Sequence, residues 1–174
     1  MEKKIDENEE NEVECLYENF RAIAEEDPNR KIAVLVKSEN EIKAAYRAAV
    51  YGEISLLFGN IFTKEDAESA KESTRRAFCE LLEEKHEFNG FVSKGILIDT
   101  PLALLTELSV QGFDFFCYDA EKISILLAGE KITAQKHRQA IKNIILNHME
   151  PTLPCQTIDF QAPIERRIWV CKDG

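Results

Sequence analysis

Residues 31–58 read KIAVLVKSENEIKAAYRAAVYGEISLLF, and this stretch decides the fold class. Ile32 to Val36 is a short, continuous apolar run rich in β-branched residues, the pattern of a strand buried on both faces. Ile42, Ala45, Tyr46 and Ala49 then recur at three- and four-residue spacing, which is the helical period. Ser38 stands at the N-cap of that helix, with Glu41 at the capping-box position. Gly52 stops the helix, and Ile54 to Phe58 is a second continuous apolar run. A strand, a helix and another buried strand in immediate succession form a parallel unit, because parallel neighbours need a crossover between them.

The same cycle continues downstream. Thr63 caps a long charged helix through Ala67, Ala70, Thr74, Ala77, Phe78, Leu81 and Leu82, and Gly95 to Asp99 is a third strand. Pro101 to Leu108 reads as a short helix, Phe113 to Tyr118 as a fourth strand, and Ile123 to Ala128 as an apolar segment. A helix from about Ala134 to His148 closes before Pro151, and Arg167 to Cys171 is a fifth strand candidate. Upstream, Val13, Leu16, Tyr17, Phe20, Ile23 and Ala24 mark one amphipathic helix from Asn11 to Glu26, ended by Asp27-Pro28-Asn29. The expected fold is α/β, a parallel sheet of about five strands with helical crossovers. Residues 1–30 are expected to form an acidic tail and helix, and residues 31–174 the α/β body, within a single domain overall. A closed eight-stranded barrel takes about 250 residues, so the length favours an open sheet or an incomplete barrel.

Charge narrows the function classes. The net charge of −10 is concentrated in the first twenty residues, where Glu2, Asp6, Glu7, Glu9, Glu10, Glu12, Glu14 and Glu18 oppose only Lys3 and Lys4. With no basic stripe, phosphate backbones are repelled over most of the surface, so no nucleic-acid partner is expected. No apolar run approaches the ~20 residues of a membrane span. Cys15, Cys79, Cys117, Cys155 and Cys171 are odd in number and widely spaced, as in reduced cytosolic thiols, and the acidic N-terminus is unlike a secretory signal. A cytoplasmic location and no membrane contact are the expectation.

Four segments in order carry a more specific signal: Tyr46 to Gly52, Ile54 to Ile61, Gly95-Ile-Leu-Ile-Asp-Thr-Pro-Leu-Ala-Leu-Leu105, and Gly112-Phe-Asp-Phe-Phe116. Their order and spacing resemble the C-terminal phosphoenolpyruvate/pyruvate-binding barrel of phosphoenolpyruvate-utilising enzymes, as in enzyme I of the bacterial phosphotransferase system and pyruvate phosphate dikinase. There the segments read approximately LRAS-x-YG, IMFPMI, GIMIETPAAAL and VDFFSIGTNDL. The resemblance spans roughly Ser38 to Lys131 and implies a truncated TIM-barrel-like fold.

The resemblance also implies a site, residue by residue. Asp99 stands where the family's GIMIETP glutamate binds magnesium, one methylene shorter. The family's GTND aspartate, a second metal ligand, falls on Glu121 or on Lys122, depending on where a one-residue gap is placed. Glu121 would leave two carboxylates for Mg²⁺, whereas Lys122 would abolish the metal site. Arg47, in the LRAS-like stretch, and Lys131 are the candidate substrate-binding cations, although Lys131 lacks the bidentate fork of the family arginine. Cys171 is a faint counterpart of the family's acid cysteine, with Cys155 as a second candidate. The family's early strands have no counterpart before Ile42.

Each residue also has a plainer role. Asp99 is spaced to cap a helix starting at Pro101, Cys171 to be a buried strand residue, and Lys131, Lys136, His137 and Arg138 to be a solvated helix face. His86, His137 and His148 lie on or beside polar helical faces. The implied function is a degenerate, non-catalytic binding or interaction module. The alternative is a Mg²⁺-dependent phosphoenolpyruvate phosphotransferase or enolate-handling enzyme completed by a partner subunit. The implied partners are a phosphoenolpyruvate- or pyruvate-like small anion, and a second copy or partner protein covering the surfaces left by an unclosed barrel.

Overall fold

Strand and helix alternate as the hydrophobic pattern requires. The computed structural model describes residues 7–100 and 112–118 and, beyond them, 122–123, 125–126, 139–140, 143, 156–157 and 168–170. Its elements are α1 (Glu7–Glu26), β1 (Ile32–Val36), α2 (Glu39–Ala48), β2 (Ile54–Phe58), α3 (Lys64–Glu84), β3 (Lys94–Ile98), β4 (Phe115–Tyr118), β5 (Gln156–Thr157) and β6 (Ile168–Val170). The helices expected at 101–108 and 134–148 fall largely or wholly outside the described residues.

The first four strands are parallel and neighbour one another in chain order, with Val34 opposite Leu56, Leu57 opposite Gly95, and Leu97 opposite Cys117. The full order is β5-β4-β3-β2-β1-β6. β5 is parallel to β4, but β6 runs antiparallel to β1, with Ile32 opposite Val170. The fifth strand candidate therefore departs from the all-parallel expectation. An apolar run carries no record of chain direction, so Ile168-Trp169-Val170 reads identically for either sense of pairing.

Both sheet faces are buried, which is why the strands are continuous apolar runs. Ile32, Val34, Val36, Leu56, Phe58, Ile96, Ile98 and Phe116 belong to a large core shared with the helices. Ala33, Leu57, Leu97, Phe115 and Cys117, with the opposite parity, form a smaller cluster. Gly95 belongs to this second face for a steric reason. A Cβ there would lie 2.2 Å from Cε2 of Phe115, so the ring occupies the space a side chain would need.

On the helical face α2 packs between α1 and α3. Its Ala44, Ala45, Ala48 and Ala49 are buried, and small side chains on so many faces let two helices and the sheet approach it together. Tyr46, 2% exposed, meets Phe78 and Phe88 edge-on at centroid distances of 6.3 and 6.1 Å. Helix α1 docks through Val13, Tyr17, Phe20 and Ala24. It starts at Glu7, earlier than the apolar period indicates; Glu7, Glu9 and Glu10 fill its first turn, where carboxylates favour the positive end of the helix dipole.

Candidate functional site

A cleft opens at the C-terminal ends of β1, β2 and β3, beside the N-termini of α2 and α3. Its volume is about 530 Å³, within the range of small-molecule sites. The local sequence explains the opening. On the first turns of α3, Asp66, Ser69, Ala70 and Ser73 fall on one face and line the cleft, so small side chains stand where bulky ones would close it. Gly59 and Asn60 carry the chain off β2; Asn60 sits at φ 56°, a left-handed conformation that asparagine tolerates better than most residues. Ile61, 5% exposed, pins that turn into the core.

The carboxylates around the cleft are engaged. At α2, Ser38 Oγ accepts from the Glu41 amide at 3.2 Å, and the Glu41 carboxylate turns back to accept from the Lys37 amide. At α3 the capping box is complete. Thr63 Oγ1 accepts from the Asp66 amide at 3.1 Å, while Asp66 Oδ2 accepts from the amides of Phe62 and Thr63, each at 2.9 Å. Those backbone bonds hold the Asp66 carboxyl below the usual carboxylate range, outweighing its slight desolvation. Glu39 is joined to Arg76 Nε at 2.8 Å, tying α2 to α3.

Asp99 follows directly on β3, with its side chain 15% exposed, and its Oδ2 accepts from the Lys122 ammonium, whose side chain is 51% exposed. Lys122 thus meets Asp99, while Glu121, the other placement, lies outside the described residues. A hard, octahedral cation such as Mg²⁺ needs carboxylate oxygens and water around it, and here an ammonium lies against the one described carboxylate of the expected pair. Among the described residues, no group of three His, Cys, Asp or Glu side chains is placed to hold a metal ion.

Arg47 lies elsewhere. Its guanidinium pairs with Glu14 at 2.8 Å and sits 4.0 Å from the ring centroid of Tyr17, between α1 and α2 and away from the residues lining the cleft. Glu121, Lys131 and Cys171 fall outside the described residues, as do Cys155, His137 and His148. His86 is on the surface beside Glu84, at 3.7 Å. The cleft also contains residues that the sequence reading did not select as a site: Lys37, Asn60, Ser69 and Ser73. Lys37 carried a usable signal, since the first polar residue after a buried parallel strand stands at the C-terminal rim where α/β sheets bind ligands.

The fold and cleft define an α/β protein with four consecutive parallel strands and a cleft of mixed polar and apolar lining at their carboxyl ends. Comparison with protein-family models returns no match for this chain, and no curated protein matches its sequence. No described helix is long and apolar enough to cross a membrane.

Proposed function

We propose that this chain is a non-catalytic small-molecule-binding module, built as part of a phosphoenolpyruvate/pyruvate-type barrel whose metal-dependent chemistry has been lost. The observation that carries the reading is the Lys122 ammonium against Asp99, in the position where the resembling enzymes hold magnesium. An ammonium paired with the carboxylate competes with a metal for it, and it offers none of the open coordination positions through which a metal activates an enolate or phosphoryl oxygen. Support for the barrel ancestry comes from strand order. β1 to β4 are consecutive parallel neighbours, and α2 and α3 lie together on one side, as successive units of a closed cylinder would be. The cleft lies at the carboxyl edge, where such barrels bind ligands, and its volume suits a small organic molecule.

The test is a thermal-unfolding titration with phosphoenolpyruvate, pyruvate and oxalate, each with and without millimolar Mg²⁺. A ligand that binds only the folded state must raise the midpoint. The expected outcome is that no anion gains stabilisation from Mg²⁺ and that phosphoenolpyruvate is not consumed. A Mg²⁺-dependent rise of several degrees with oxalate, or formation of pyruvate, would favour an enzyme completed by a partner and overturn the proposal.

A further inference from the structure

The charges around the cleft define the ligand it can accept. Among the described residues, four charged ones line it: Lys37, Asp66, Asp99 and Lys122. Asp66 is held by two backbone amides at the start of α3, where it offsets that helix's positive end. Glu41 does the same at α2 through the Lys37 amide, Glu39 is tied to Arg76, and Asp99 faces Lys122. Neither helix N-terminus therefore keeps its anion-attracting charge.

Lys37 differs. It stands one residue beyond β1, exposed at the mouth of the cleft, and no carboxylate of the described residues lies within ion-pair distance of its ammonium. Lys37 and Gly59 directly follow the last register pair, Val36 opposite Phe58, and both line the cleft, where a Cβ at Gly59 would stand 3.4 Å from Leu35 Cδ1. Behind it the wall is apolar, formed by Leu35, Ile42, Phe58 and Ile61.

We infer that the cleft binds a monocarboxylate with an apolar body, with Lys37 as the partner of the carboxylate. This rests on the binding-module reading above and specifies its ligand class. Among the described residues the positive charge of Lys37 has no carboxylate partner, and it matches one negative charge. A phosphate ester would bring two or three charges into a cleft that already holds Asp66 and Asp99, and an amine would meet Lys37. The apolar wall accounts for the body of the ligand, and Asn60, Ser69 and Ser73 supply hydrogen-bonding groups along it.

Isothermal titration of the full chain without metal, using butyrate, octanoate, octylamine and phosphoenolpyruvate, tests the assignment. Octanoate should bind more tightly than butyrate, by about two- to fourfold per methylene that enters the cleft. Lys37→Met should weaken octanoate roughly tenfold or more, as loss of a charge-assisted hydrogen bond does. Lys31→Met, at the opposite end of the same strand, should leave binding unchanged. Octylamine and phosphoenolpyruvate should bind less well than octanoate.

Octanoate binding of equal strength to wild type and Lys37→Met would overturn the role of Lys37 while leaving a binding module in place. Preference for phosphoenolpyruvate without metal, or no carboxylate binding at millimolar concentration, would overturn the ligand class. Phosphoenolpyruvate binding that appears only with Mg²⁺ would instead remove the binding-module reading on which the inference rests.

Discussion

At the scale of single residues, Gly95 is the position where the fold leaves least room. Its Cα hydrogen faces the Phe115 ring, and an added methyl would fall 2.2 to 2.5 Å from three ring atoms. Gly95→Ala must push the ring or part the two strands, so it should destabilise the protein by about 1–3 kcal/mol, the usual range for overpacking. Urea unfolding would measure this, and Gly95→Ala with Phe115→Leu should recover part of the loss by making room. Tyr46 gives a spectroscopic signature of the core. Burial pushes its phenol up to about 12, so this tyrosine should stay neutral in an alkaline absorbance titration until the protein unfolds. Asp66 supplies a pH dependence with a definite sign. Its folded-state pKa lies below the unfolded value of roughly 4, so the stability it contributes is complete above that value and is lost as pH falls through the folded one. The stability gap between wild type and Asp66→Asn should be widest at neutral pH and should close on acidification. A gap that widens in acid would show that the capping box is not its source.

At the scale of elements, the join between α2 and α3 carries an ion cluster unusual for so buried a position. Lys43, 8% exposed, reaches Glu80 and Glu84 of α3, each at 2.8 Å. Burial works against the Lys43 charge, but the hydrogen bonds of the two glutamates outweigh it and raise its pKa. Removing the lysine would leave two carboxylates facing each other in a half-buried seam. An exposed pair contributes about 0–1 kcal/mol and breaking a fully buried one costs about 3–5, so Lys43→Met should cost about 1–3 kcal/mol. Adding Glu80→Gln should recover part of that, because it removes the like-charge repulsion. A double variant no more stable than the single one would place the cost in packing. The helix starts themselves are local events. Ser38 and Thr63 are the N-caps that their spacing predicts, each with an acidic residue three positions on.

At the scale of the whole molecule, α1 is part of the core. Val13, Tyr17, Phe20 and Ala24 join the same buried cluster as the strands, and Gly52 makes a close approach, since a Cβ there would stand 3.0 Å from that of Ala24. Arg47 and Arg21 add cations over the rings of Tyr17 and Tyr51, at 4.0 and 4.4 Å from their centroids. A chain lacking residues 1–26 should lose on the order of 5 kcal/mol, from three large apolar side chains at about 1.5–3 kcal/mol each. It should also bind a hydrophobic dye through the uncovered face of α2. Unchanged unfolding of that shortened chain would show α1 to be a separate appendage.

Much of this arrangement was legible in the chain because its determinants are local. β1 to β4 are apolar runs between turn residues, and α2 and α3 are periodic segments behind Ser38 and Thr63. The candidate site was legible only in part. Asp99 could be placed at the end of a strand, but its partner lies 23 residues away, and the placement of a one-residue gap left both Glu121 and Lys122 open. Arg47 had the right residue type and a family-like context, yet the docking of α1 gives it Glu14 and Tyr17 as neighbours. Lys37 was legible as a rim residue by its place after a buried strand, but its charge gained meaning only once the charges around it were seen to be matched.

Taken alone, the sequence determined the α/β class of the fold, the order of its elements from α1 to β4 and the N-caps of α2 and α3, since each follows from periodicity and capping within a few residues. Tertiary structure decided the antiparallel sense of β6, the pairing of Lys122 with Asp99 and the opening of the cleft around Lys37. Those features depend on which groups meet after the chain has folded back on itself, and contacts between residues far apart in sequence leave no periodic trace along it.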